Sequence, residues 1–219
     1  GKHWSGGVLT VSRFVVGLDC VVTGVSVAAF VEGAPSPVTK FVRAPRIDNF
    51  DVMHQVARTL TTAELTLESV LRSGVPELVV MMKPSMGDAR KDTSAPRRMM
   101  LAGEIQRRLV EARIPVCEVS AMALVSWLLG GGRKYPPRDF GALEQAVRDA
   151  WRPDDVEPEF RLTTVGVAAA GAVITGIPTR RKVENSALAA LREMRLPSGW
   201  ALPERASEWN KQYVKSEVA

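Results

Sequence analysis

Histidine and cysteine are nearly missing from this chain, whose 219 residues include two of each. Cys20 and Cys117 lie far apart, so they offer neither a disulfide framework nor a CxxC zinc site. His3 and His54 cannot build a histidine-rich metal centre. Any metal would have to be held by carboxylates, which makes the positions of the 24 acids the central question. No apolar run reaches the roughly 20 residues of a membrane-spanning helix, so no membrane partner is expected. Gly1 to Gly7 carry no apolar stretch of the signal-peptide kind. The expectation is a cytoplasmic protein with reduced thiols. Internal repeats and low-complexity segments are also absent.

What the chain does have is apolar content, at 46%, enough to bury a full core. Its length suits one large domain or one domain with appendages. The expected division is an extension over 1–10, a domain over 11–195 and a polar tail over 196–219. Lys and Arg outnumber Asp and Glu by 29 to 24, a net charge of +5.

Val11 to Thr23 is rich in Val and Phe and predicts a buried strand, since β-branched residues suit a pleated sheet. Gly24 to Val31 and Val38 to Arg43 complete an antiparallel meander. Asp48-Asn49 offers an N-cap for a long amphipathic helix over Phe50 to Arg72, ended by Ser73-Gly74. Glu77 to Met82 predicts a buried strand, Asp92 to Arg113 a second long helix, and Pro115 to Val119 another strand. Helices follow over Ser120 to Leu129, Phe140 to Trp151, Leu162 to Ile174 and Val183 to Met194. The third of these is a small-residue helix suited to close packing. Three antiparallel strands followed by βαβα predict an α/β fold with a mixed five-stranded sheet and helices on both faces.

Several segments in this order resemble the RuvC-like Holliday-junction resolvases of the RNase H-like superfamily, in their phage and actinobacterial form. Gly17-Leu18-Asp19, followed by Thr23-Gly24, looks like their first-strand motif. Val79-Val80-Met81-Met82-Lys83-Pro84-Ser85 is similar to their fourth-strand segment, which ends in an acid followed by K-P-S. Ile114-Pro115-Val116, Glu118-Val119-Ser120 and Gly130-Gly131-Gly132-Arg133 look like the fifth strand and its glycine loop. Val167-Ala168-Ala169-Ala170-Gly171-Ala172 is similar to the C-terminal helix. The likeness runs from about Phe14 to Trp200.

The resemblance implies four acids that bind two divalent metals for in-line phosphodiester cleavage. Hard Mg²⁺ needs oxygen ligands, so each acid position matters. Asp19 matches the first. The fourth-strand acid should fall at Met82, and the C-terminal-helix acid at Thr163 or Thr164. The remaining one should fall a turn earlier, at Phe160 or Arg161, with Glu159 near. The implied protein is a pseudonuclease with Asp19 vestigial, no metal bound and no cofactor. Glu77, Asp88, Asp92 and Glu159 are the acids that could restore a site. Glu77 is the nearest to Met82 in sequence, but its odd offset puts it on the opposite face of an extended strand. A buried carboxylate at Asp19 needs a partner, and Lys83 is the expected one.

The candidate DNA contacts are Lys83, Arg90, Lys91, Arg97, Arg98, Arg133, Lys134 and Arg138. Arg107, Arg108 and Arg113 belong with Arg90, Lys91, Arg97 and Arg98 to a basic set on or before the second long helix, which suits either phosphate binding or a solvated face with Glu104 and Glu111 in ion pairs. Met81, Met82, Met99 and Met100 read as core or dimer packing. Cys20 reads as a small buried hydrophobe.

Three functions follow. One is a non-cleaving binder of branched or duplex DNA, a homodimer by resemblance. The second is a protein-interaction or assembly component, possibly phage-encoded. The third is an active Mg²⁺-dependent endonuclease with relocated acids.

Overall fold

The computed structural model describes residues 12–34, 36–84, 91–130 and 140–209. Arg90, Arg133, Lys134, Arg138, Asp88, His3 and the 1–10 extension lie outside the described residues.

Strand β1 (Phe14–Val21) has all eight residues buried, the signature of a strand covered on both faces. It pairs antiparallel with β2 (Gly24–Val31), which pairs antiparallel with β3 (Val38–Arg43). On its other side β1 pairs in parallel with β4 (Leu78–Met82), and β4 with β5 (Val116–Val119). The sheet order is β3-β2-β1-β4-β5, the mixed five-stranded sheet expected from the sequence.

Alternation along β1 splits the interior in two. Phe14, Val16, Leu18 and Cys20 face the core covered by α1 (Val52–Leu71) and α2 (Ala95–Glu111). Val15 and Val21 belong to the opposite core, with α3 (Ala121–Leu129), α4 (Phe140–Trp151), α5 (Thr163–Thr175) and α6 (Asn185–Leu191). Asp19 shares the odd, α5-side phase of β1.

Every residue of α5 from Thr163 to Ile174 is buried. A β-carbon added at Gly17 would lie 2.5 Å from the Ala168 backbone nitrogen and 2.9 Å from the Thr164 carbonyl oxygen. The helix therefore rides directly on β1, and its start is fixed opposite the strand's C-terminal end.

Several boundaries differ from the sequence expectation. Asp51, not Asp48-Asn49, caps α1, because its Oδ1 accepts from the His54 amide at 2.8 Å. Helix α2 begins at Ala95 rather than Asp92, since Asp92 forms a turn that accepts from the amide and hydroxyl of Ser94. It stops at Glu111 because Arg113 turns left-handed, at φ 58°. Helix α6 is shorter than Val183 to Met194, although both of those residues are buried. Ala206 and Trp209, in the stretch expected as a polar tail, are buried in the larger core. Met81 is core, whereas Met99 and Met100 are exposed.

Candidate functional site

A cavity of about 250 Å³ opens at the C-terminal ends of β1 and β4. Asp19, Met82, Lys83, Asp92, Arg98, Arg161 and Thr163 are among the residues that line it. The topology explains the gathering. The parallel ladder pairs Leu18 with Met81, so the next residues, Asp19 and Met82, end side by side. The antiparallel ladder pairs Asp19 with Ser26. The Ser26 hydroxyl accepts from the Arg161 amide at 3.0 Å, which pins the chain just ahead of α5 across from Asp19.

Asp19 is buried, at 7% exposure. Burial pushes its carboxyl up to about 6, against the opposing pull of the Arg161 and Arg98 guanidinium groups. Nη1 of Arg161 stands 3.7 Å from Oδ2 of Asp19. The expected partner, Lys83, lines the cavity, but the ion pair goes to Arg161. The reason is register: Lys83 follows the end of β4, where its amide donates to the Val119 carbonyl, while Ser26 holds Arg161 opposite Asp19.

Asp92 brings a second carboxylate to the wall, but it is committed. It accepts from Nη2 of Arg98 at 2.6 Å and from the Ser94 hydroxyl at 2.6 Å. Those bonds hold its carboxyl well below the usual range, Arg98 contributing most. Met82, half-buried, offers a thioether where the resemblance implies an acid. Thr163 and Thr164 are buried hydroxyls, and the Thr164 hydroxyl has no hydrogen-bond partner.

Of the other acids weighed from the sequence, Asp88 lies outside the described residues, and Glu159 and Glu77 are engaged elsewhere. Glu159 pairs with Arg43 at 2.6 Å, and Glu77 pairs with Arg13 at 2.5 Å. No group of three or more His, Cys, Asp or Glu among the described residues is placed to hold a metal. A pair of Mg²⁺ ions needs close carboxylates. Among the described residues this cavity supplies two, each facing an arginine, and these do not fit that metal pair.

Of the candidate DNA contacts, Lys83 and Arg98 line the cavity. Arg97 lies over the Phe50 ring, and Lys91 is exposed just ahead of α2. Arg107 and Arg108 are tied to Glu104, and Arg107 also to Glu111, as the sequence reading allowed. Burial pushes the Cys20 and Cys117 thiols up, so neither is a ready nucleophile. Arg161 was missing from the sequence-derived contacts. Its only signal was position: it occupies a place where the resemblance implies an acid.

Five strands in this order, with the cavity at the β1 and β4 ends and α5 laid on β1, decide the architecture. The fold is that of RuvC. Thermus thermophilus RuvC superposes with a TM-score of 0.52 at 18% identity, covering 75% of this chain and 98% of RuvC. The T. thermophilus RuvC bound to a Holliday junction substrate gives 0.52 at 18% identity, covering 71% of this chain and 90% of that one. The yeast mitochondrial Holliday junction resolvase Ydc2 gives 0.47 at 12% identity, covering 75% and 77%. No protein-family model and no curated protein matches the chain. Among the described residues, no helix is long and apolar enough to cross a membrane.

Proposed function

We propose that this chain is a RuvC-like pseudonuclease: a protein that binds branched or duplex DNA without cleaving it. The observation that carries the reading is Arg161 standing 3.7 Å from Asp19 in the cavity. Of the two positions, Phe160 and Arg161, at which the resemblance implies an acid, one holds the opposite charge. A nuclease of that kind draws cations to a cluster of carboxylates. Here the cations are built in, as Arg161, Arg98 and Lys83.

Fixed guanidinium groups suit phosphate recognition. The planar fork of Arg matches phosphate oxygens and stays charged at any working pH. The Arg161–Asp19 separation exceeds the roughly 2.7–2.9 Å of a charge-assisted hydrogen bond. Asp19 therefore attracts Arg161 without a close hydrogen-bonded contact. A backbone phosphate entering the cavity would meet these cations, with no acid-held metal to activate a water. The T. thermophilus RuvC complex with a Holliday junction substrate supports a branched duplex as the ligand class.

The test is a mobility shift with a labelled four-way junction, in EDTA and then in Mg²⁺ or Mn²⁺. The expected result is binding in EDTA, no strand scission in either metal, and about ten-fold weaker binding for Arg161→Glu, which reverses a phosphate-facing charge. Metal-dependent nicking abolished by Asp19→Asn would establish the active endonuclease instead. Failure to bind any DNA at low salt would leave the protein-interaction reading.

A further inference from the structure

Just ahead of α1 the chain carries an exposed aromatic ring. Phe50 is 60% exposed, and the guanidinium carbon of Arg97 stands 5.9 Å from its ring centroid. The ring sits on a turn fixed from both sides. Asn49 Oδ1 accepts from the Asp51 amide at 3.0 Å, and the Gln55 side-chain amide donates to the Phe50 carbonyl. The next carboxylate in sequence, Asp51, is occupied by its own helix, accepting from the His54 amide and contacting the His54 ring.

Exposed carboxylates flank the ring in the chain, at Asp48 and Asp51, while apolar and cationic side chains lie across from it. Met53, one helical turn on from Phe50, is 81% exposed, and Met100, one turn on from Arg97, is exposed as well. The cleft between the starts of α1 and α2 is lined by Arg58, Arg97 and Arg98, the last of them paired with Asp92. Arg98 lines both this cleft and the Asp19 cavity, and Arg97 joins the cleft to the ring.

We infer that Phe50, with Arg97 above it, is a stacking platform for an unpaired nucleobase whose flanking phosphate lies towards Arg98 and the Asp19 cavity. This rests on the DNA-binding reading and narrows it, from branched or duplex DNA to DNA that presents a base outside the stack. The chemistry fits both parts of the base. An aromatic face accepts any base by stacking, and a guanidinium over the ring adds a cation for the backbone beside it. An intact duplex keeps its bases inside and gains nothing from the ring. A junction, bulge or single-stranded end can place one there.

The experiment compares three labelled DNAs by fluorescence anisotropy: an uninterrupted duplex, the same duplex with a one-base bulge of 2-aminopurine, and a four-way junction. Wild type is expected to bind the bulged duplex more tightly than the uninterrupted one, with 2-aminopurine emission quenched on binding. Phe50→Ala should lose that preference, weakening the bulged complex about ten-fold, while its affinity for plain duplex changes less than two-fold. Phe50→Trp should retain the preference and the quenching. Equal weakening on all three DNAs, or no change on any, would overturn the platform while leaving DNA binding in place. A change of oligomeric state in Phe50→Ala with base preference intact would overturn it too, and would assign the ring to contact with a second copy. If wild type binds none of the three, the DNA-binding reading falls and the platform with it.

Discussion

Asp19 is a carboxylate that the fold holds at a cost. Burial raises its carboxyl from 3.8 to about 6, because Arg161 at 3.7 Å and the more distant Arg98 only partly offset the loss of water. The folded state therefore binds a proton more readily than the unfolded chain does. Below pH 4 the group is protonated in both states and carries no penalty. Between pH 4 and 6 the penalty grows, and above 6 it is fully present. Asp19→Asn is accordingly expected to stabilise the protein at pH 7.5, by about 1–3 kcal/mol, and to change little at pH 4. Urea unfolding midpoints measured at both values check this. A destabilised Asp19→Asn at pH 7.5 would mean that the Arg161 pair outweighs the desolvation of the carboxylate. The contrast with Asp92 is informative. That carboxyl lies close against Arg98 and Ser94 and is pushed down rather than up. Two acids on one wall differ because Asp19 is buried and stands a longer gap from its cation, whereas Asp92 is more exposed and receives hydrogen bonds from its own.

The element that matters most to the site is α5, and its position depends on what β1 lacks. With no side chain at Gly17, the helix backbone comes within 2.5 Å of where a β-carbon would be. Backbone atoms cannot swing aside as a side-chain tip does. Gly17→Ala should therefore push α5 off the sheet, at a cost of about 2–3 kcal/mol or more, as over-packing of a dense core does. Chemical denaturation measures it, and Gly103→Ala, exposed within α2 with open space around it, is the control expected to stabilise by about 0.5–1 kcal/mol. The sequence made much of this legible. The Val-rich runs marked β1 to β4, and the Ala-Gly stretch marked a close-packed helix. Both are local patterns that burial imposes on residues near in sequence. The cavity's acids were half legible: Asp19, Met82 and Thr163 do meet at the β1 and β4 ends. Its charge partner was not, because the Arg161–Asp19 contact spans more than a hundred residues and depends on Ser26 holding the Arg161 amide. Lys83 was the natural choice from strand adjacency alone. The cap of α1 was misplaced for a related reason. Asp48, Asn49 and Asp51 are all good caps by type, and only the hydrogen bond to His54 selects among them.

Across the whole molecule, the surplus of 29 basic over 24 acidic side chains is distributed with a purpose that the net charge conceals. Much of the positive charge is matched in place. Arg13 faces Glu32 and Glu77, Arg43 faces Glu159, and Arg107 and Arg108 share Glu104. The beginning of α2 differs from its end. Arg107 and Arg108 lie in a run of intrahelical ion pairs, whereas Arg97 lies over Phe50; Arg98 faces the cavity but is paired there with Asp92. DNA affinity should then depend on salt through a few positions rather than through general basicity. Each phosphate neutralised contributes about −0.9 to the slope of log K against log salt. Arg161→Ala and Arg97→Ala are each expected to reduce the magnitude of that slope by about 0.9. Arg107→Ala should leave it unchanged, since the acids beside it already screen its charge. The slopes come from four-way-junction titrations between 50 and 300 mM salt, run in EDTA so that no divalent ion competes for phosphate. Equal slope changes for Arg107→Ala and Arg161→Ala would mean that DNA senses a diffuse positive surface. The cavity at the strand ends would then have no special part in binding.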